Sequence, residues 1–180
     1  MALPHPDPPL ADDTIRLVPL SRRHIAGMAS LADHQDVIEY TGVPSDAPPD
    51  FAESWISRYD HGWRSDTRAG FAIEDHIGEF LGFAAFVSVD RGAAQAEAGY
   101  MLTPPARGRG AASRSLALLA DWGFGELGLQ RIELKINSGN TASERVAERC
   151  GFVKEGTLRS VYFKEGRRVD VGIWSRLATD

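Results

Sequence analysis

The chain has 180 residues, 43% hydrophobic and 25% charged, a balance that suits a folded globular protein and excludes overall disorder. Its longest uncharged apolar run, Phe80 to Val89, is about half of what a bilayer-spanning helix needs. A single cysteine, Cys150, excludes an internal disulfide or thiolate cluster. Five histidines lack metal-ligand spacing, and a net charge of −5 is the wrong sign for a general nucleic-acid binder.

Four prolines among the first nine residues (Pro4, Pro6, Pro8, Pro9) predict a flexible leader over 1–13, with a single domain over 14–180. No N-terminal run has the basic start and apolar core of a secretion signal, which points to a cytoplasmic protein. Alternation over Ile15 to Leu20 predicts a first strand. Ser21 is placed to cap a helix running to about Asp33, with Ile25, Met28 and Ala29 on one stripe. Pro44 to Pro49 break the chain before a helix over 50–64. That helix carries Phe51, Trp55, Tyr59 and Trp63 at four-residue spacing. The stripe reads first as core and second as one wall of a substrate groove.

Three strands follow, over 70–74, 80–89 and 96–103, joined by hairpin-type connections at 75–78 and 90–92. Pro104 and Pro105 end the third. A helix over 110–124, a strand over 131–137 and a short helix opened by Asn140 or Thr141 and stopped by Gly151 come next. Two last strands, 152–163 and 169–176, pair around Lys164-Glu165-Gly166. Hairpins in the middle and one strand–helix–strand crossover from 96 to 137 predict an α+β fold. Its sheet is mostly antiparallel with one parallel pair, where ligand clefts tend to open.

The strongest local signal is Glu97-Ala98-Gly99-Tyr100-Met101-Leu102-Thr103, stopped by two prolines and followed by Ala106-Arg107-Gly108-Arg109-Gly110-Ala111-Ala112-Ser113. Small residues leading straight into a helix leave backbone N–H groups exposed at its positive end, the means by which proteins cradle a phosphate or pyrophosphate. Arg107, Arg109 and Ser113 add side-chain donors. The loop lacks the lysine of a nucleotide-triphosphate loop, and its antiparallel approach differs from a dinucleotide-binding unit. The alternative is a glycine-rich turn with solvated arginines.

The spacing Arg107-x-x-Gly110-x-Ala112 resembles the pyrophosphate loop of the GNAT acetyltransferase superfamily. Three further segments extend the likeness: Arg131 to Asn137, Asn140-Thr141-Ala142-Ser143 with Val146 to Phe152, and Glu155 to Arg159 with Gly166 and Asp170. Together they are similar to the RimJ/RimL-like branch, which acetylates ribosomal-protein N-termini. The resemblance implies the acyl-CoA N-acyltransferase fold, with acetyl-CoA inserted where the parallel pair splays and no metal. It places Met101, Leu102 and Thr103 along the donor, with a Leu102 N–H holding the thioester carbonyl and the charge it develops. Residues Arg107, Gly108, Arg109, Gly110, Ala111, Ala112 and Ser113 hold the pyrophosphate. Asn140 either reaches the pantetheine arm or simply caps its helix.

Attack by an amine requires a neutral nitrogen, and a carboxylate acting directly or through water can remove its proton. Glu97 is the candidate base, its alternative being a solvated surface position. Many members of the superfamily carry a tyrosine, at the position of Ala147 here, that protonates the departing thiolate. Ser143 takes that role by resemblance, and Tyr162 is a further candidate. Cys150 reads as core rather than nucleophile. The expected activity is direct acetyl transfer to a primary amine, either a protein N-terminal α-amine or a small molecule. A non-catalytic acyl-CoA sensor of the same fold is the alternative that Ala147 raises. Neither nucleic acid nor membrane is an expected partner, and an exposed aromatic stripe would permit a homodimer.

Overall fold

Alternation of buried and partly buried residues sets the first long strand, β2 (Ile15–Pro19), against β3 (Ala69–Asp75) in this computed structural model, which describes residues 2–164 and 166–180. A short β1 (Leu10–Ala11) lies on its other side. Three helices stand between β2 and β3: α1 (Ile25–Leu31), α2 (Gln35–Tyr40) and α3 (Phe51–Arg64). The chain continues as β4 (Phe80–Asp90), β5 (Gln95–Leu102), α4 (Ala111–Gly125), β6 (Arg131–Asn137), α5 (Thr141–Arg149), β7 (Val153–Lys164) and β8 (Arg167–Leu177). Among the described residues these eight strands form one sheet in the order β1-β2-β3-β4-β5-β6-β8-β7, in which only β5 and β6 run parallel. The α+β reading with one parallel pair is borne out.

Strand periodicity divides the core between the two faces of the sheet. Ala96, Ala98, Tyr100 and Leu102 of β5 pack toward Leu116, Leu119 and Ala120 of α4. Met101 joins the opposite cluster with Met28, Trp55 and Tyr59 of α1 and α3. The aromatic stripe of α3 is buried throughout. Trp55 and Tyr59 pack edge-on to Phe83, with centroids 5.9 and 5.0 Å apart, and Trp63 meets Phe71 at 5.3 Å. The core reading of that stripe therefore holds, and the exposed stripe expected to support a dimer is not there.

Two expectations change. The leader is not loose: Leu3 is buried, its N–H donates to the Trp63 carbonyl at 3.0 Å, and His5 stacks on the Trp63 ring at 4.2 Å. Asp12 and Asp13 tie the same segment to α4 through Arg114, at 2.9 and 2.8 Å. Prolines there stiffen a strap that α3 and α4 hold down. The helix from Ser21 begins as a 3-10 turn over Arg22–His24 and ends at Leu31, and α2, unsigned by any cap or long stripe, follows at once. The turn assigned to Lys164-Glu165-Gly166 includes Glu165, which lies outside the described residues.

Where β5 and β6 part is the feature that matters for function. Their pairing runs from Gln95↔Arg131 only to Ala98↔Leu134. Beyond it β5 stays with β4 as far as Leu102↔Gly82, while β6 stays with β8 as far as Asn137↔Val171. Each strand keeps its outer neighbour and loses its inner one, so a wedge opens inside the sheet. Gly82 permits it: a Cβ there would lie 2.2 Å from the Met101 carbonyl oxygen, so β4 follows β5 closely only because position 82 has no side chain.

Candidate active site

The wedge exposes backbone on its β5 side. The Thr103 N–H donates to Leu81 on β4 at 2.9 Å. Strand alternation then turns the Leu102 N–H and carbonyl the other way, into the wedge. Its carbonyl confirms the direction by accepting from Arg107 Nη2 at 3.0 Å. A donor aimed into a gap between strands is suited to a carbonyl oxygen that gains negative charge.

Below the wedge, Pro104–Ala106 make one 3-10 turn, and Gly108 and Gly110 adopt positive φ of 72° and 81°. Gly110 is the N-cap of α4 in the left-handed region, which suits glycine. The first intrahelical bond on this cap is Arg114 N–H to the Gly110 carbonyl at 3.0 Å. The N–H groups of Ala111, Ala112 and Ser113 thus project from the helix start, and the helix dipole adds to them. No side chain crowds Gly108, where a Cβ would meet nothing within 4 Å.

A cavity of about 480 Å³ joins wedge and loop. Met101, Leu102, Arg107, Gly108, Gly110, Ala111, Ala112, Ser113, Asn140 and Ser143 all line it, so the structure gathers most of the residues singled out for donor binding. Thr103 is engaged with β4, and Arg109 projects from the loop; neither lines it. Asn140 acts as the N-cap of α5, its Oδ1 accepting from Ser143 N–H at 3.1 Å. Cys150 donates its thiol to the Ser113 carbonyl at 3.3 Å, and burial pushes its pKa up, which keeps it an inert thiol.

Glu97 and Tyr162 stand apart from this cavity. Glu97 accepts a 2.6 Å salt bridge from Lys135, which it holds charged above the usual lysine range. Tyr162 lies exposed on the edge strand β7. The cavity that holds Ser143 is lined by neither of these two candidates.

Several lining residues escaped the sequence reading. Arg145 and Arg149 stand one turn apart on α5, and with Arg107 they set three guanidinium groups against one carboxylate, Asp36. Their i,i+4 spacing was the available signal. Asp36, Tyr40 and Thr41 come from α2, and Asp36 forms an ion pair with Arg107. Tyr100 is the last of them: its Oη is buried, with no partner at hydrogen-bond geometry among the described residues. A cationic, N–H-lined trough with an orphaned hydroxyl along it fits a long ligand with a phosphorylated end. Tyr40 also borders a second cavity of about 290 Å³, shared with Glu39, Asn137, Arg167 and Asp170.

A parted parallel pair beside an anion-binding helix start defines an acyl-CoA-dependent transferase. Residues 14–153 match the acetyltransferase (GNAT) domain family, and the chain belongs to that family. An uncharacterized N-acetyltransferase of Bacillus licheniformis, p20, is 38% identical over 55% of this chain and 56% of its own length. Spermidine N(1)-acetyltransferase of Escherichia coli K12 is 25% identical over 86% of this chain and 81% of its own. Among solved structures, RimL, the ribosomal L7/L12 α-N-protein acetyltransferase in complex with coenzyme A, superposes with a TM-score of 0.86. It is 20% identical, over 94% of this chain and 96% of its own, a likeness of fold.

Proposed function

We propose that this protein transfers the acetyl group of acetyl-CoA directly to a primary amine, either a protein N-terminal α-amine or a small-molecule amine. The wedge carries the proposal, because it puts the Leu102 N–H beside a trough that ends on three free helix N–H groups. Acetyl-CoA supplies an acyl group already joined to a good leaving thiol. The chain's own residues bind and orient it: Ala111 to Ser113 and Arg107, with Arg145 and Arg149, face its phosphates, while Met101 and Leu102 line the acyl end. Ser143, which lines the same cavity, is the residue proposed to donate to the departing sulfur. The second cavity, reached past Tyr40, is where the amine approaches. Its acceptor classes are those of the relatives, a polyamine for one and a ribosomal protein for another.

The sensor reading loses its motivation, since Ala147 is fully buried and off the cavity wall, one turn beyond Ser143. A cytoplasmic location follows from the donor. No helix of the described residues is long and apolar enough to cross a membrane. A homodimer is inferred as well, from the exposed apolar edge of β7.

The test is acetyl-CoA with a panel of N-terminal peptides, polyamines and aminoglycosides, read as amine-dependent thiol release. Release with one class assigns the acceptor. Failure to bind CoA by calorimetry would overturn the proposal.

A further inference from the structure

The second cavity holds positive charge that the phosphates of acetyl-CoA, bound in the trough, do not answer. Among the described residues, Lys164, Arg167 and Arg168 line it against two carboxylates, Glu39 and Asp170, in a chain whose overall charge is −5. Both carboxylates are already engaged. Glu39 Oε1 accepts from Arg167 Nη2 at 2.9 Å, and Asp170 Oδ1 accepts from the Ser160 N–H at 2.8 Å. Lys164 donates to the Thr41 carbonyl. Arg168 is held more loosely. Its Nη1 lies 3.4 Å from the Ser160 carbonyl, its guanidinium sits 5.9 Å from the Phe163 ring centre, and no carboxylate among the described residues pairs with it.

We infer that the amine acceptor carries an anionic group, a carboxylate or a phosphate, a few bonds from its nitrogen, and that Arg168 selects for it. The inference rests on the acetyl-CoA reading and narrows its acceptor. The planar fork of Arg168 suits two oxygens of such a group, while Arg167 keeps its pair with Glu39. Tyr40 borders both cavities, so an amine anchored at Arg168 extends past it toward the wedge. A polyamine meets the opposite situation. Each ammonium beyond the reacting one needs a carboxylate, and the cations here outnumber two that are already bound, so like charges oppose its entry. A volume of about 290 Å³ suits a small metabolite or the first residues of a peptide, two sources of the same chemistry.

The test compares amine-dependent thiol release across pairs that differ by one charge: phosphoethanolamine with ethanolamine, free amino acids with their α-amides, and N-terminal peptides with glutamate or lysine second. Spermidine completes the set. The anionic member of at least one pair should show kcat/KM about tenfold higher or more, the worth of one charge-assisted contact. A preference within the small-amine pairs assigns a metabolite, and one confined to the peptides assigns an acidic N-terminus. Arg168→Gln should remove that preference mainly through KM for the acceptor, with CoA affinity by calorimetry unchanged. Faster turnover of spermidine or of the lysine peptide overturns the inference, as does a preference that survives in Arg168→Gln. So does a protein that binds CoA and turns over no anionic amine. Failure of the wild type to bind CoA is a distinct result, which overturns the acetyl-CoA reading itself.

Discussion

Gly82 sits across the strand pair from Leu102, at the end of the stretch where β5 stays with β4 after its last pairing with β6 at Ala98. A methyl group there would press on the Met101 carbonyl oxygen from 2.2 Å and on the Leu102 side chain from 2.9 Å. The obstacle is backbone, so the strands must move apart rather than a side chain turn away. Gly82→Ala should cost about 1–3 kcal/mol in urea unfolding, the range for overpacking a filled site. It should also weaken CoA binding by calorimetry, because the displaced segment carries the Leu102 N–H. Stability lost with CoA affinity intact would show that the wedge tolerates movement of β4. Position 82 looked like any small residue in an apolar run. Its meaning depends on a strand twenty residues away, whereas the Arg107 to Ser113 loop was readable because its glycines, helix start and donors are contiguous. Arg145 and Arg149 fell between these cases: their spacing was visible, but nothing local said which way that face of α5 turns.

Among the elements, α3, α4 and every strand but β1 were legible, since each has a long enough period to show its face. The stretch over 21–40 was not, because tertiary contacts hold it where local signals are weak. His24 Nδ1 accepts from the Ser21 N–H at 3.0 Å, closing the turn ahead of α1, and Nε2 meets buried Glu74 at 3.1 Å. Arg16 and Arg23 complete the cluster at 2.9 and 2.7 Å from the same carboxylate. This arrangement uses a neutral imidazole with its proton on Nε2, because Nδ1 must stay an acceptor. Desolvation by burial, ahead of the opposing bond to Glu74, lowers the His24 pKa below its ordinary 6.5. The unfolded chain therefore binds this proton more readily than the folded one. Stability from this site is complete above about pH 6.5 and declines as pH falls toward the folded value, by at most about 1.4 kcal/mol per unit. His24→Gln should be less stable at pH 8 yet show a flatter decline from about pH 6.5 to 5. The check is urea midpoints across that range; a slope identical to the wild type would mean that His24 does not titrate there.

At the scale of the whole molecule, the sheet is finished unequally. At one edge β1 is two residues long, and Asp12 and Asp13 behind it are pinned to α4 by Arg114. At the other, β7 is twelve residues long, pairs among the described residues only with β8, and exposes Leu158 at 51% and Phe163 at 70% of their surface. A long edge with apolar side chains is the kind that proteins cover. A second copy can cover it by placing its own β7 against this one about a two-fold axis, so that both edges close and no strand is left to recruit a third chain. The sequence could not reveal this, because the same residues read as an ordinary alternating strand until the sheet order put them last. Sedimentation velocity should give a dimer at about 50 μM, well above the roughly micromolar Kd of a modest interface. Leu158→Glu with Phe163→Glu should give a monomer, as charge buried without a partner opposes the contact. Neither residue lines the trough, so CoA affinity should be the same in both forms. A wild-type monomer at that concentration would leave β7 uncovered by its own kind, and a dimer unmoved by the two substitutions would place the contact on another face.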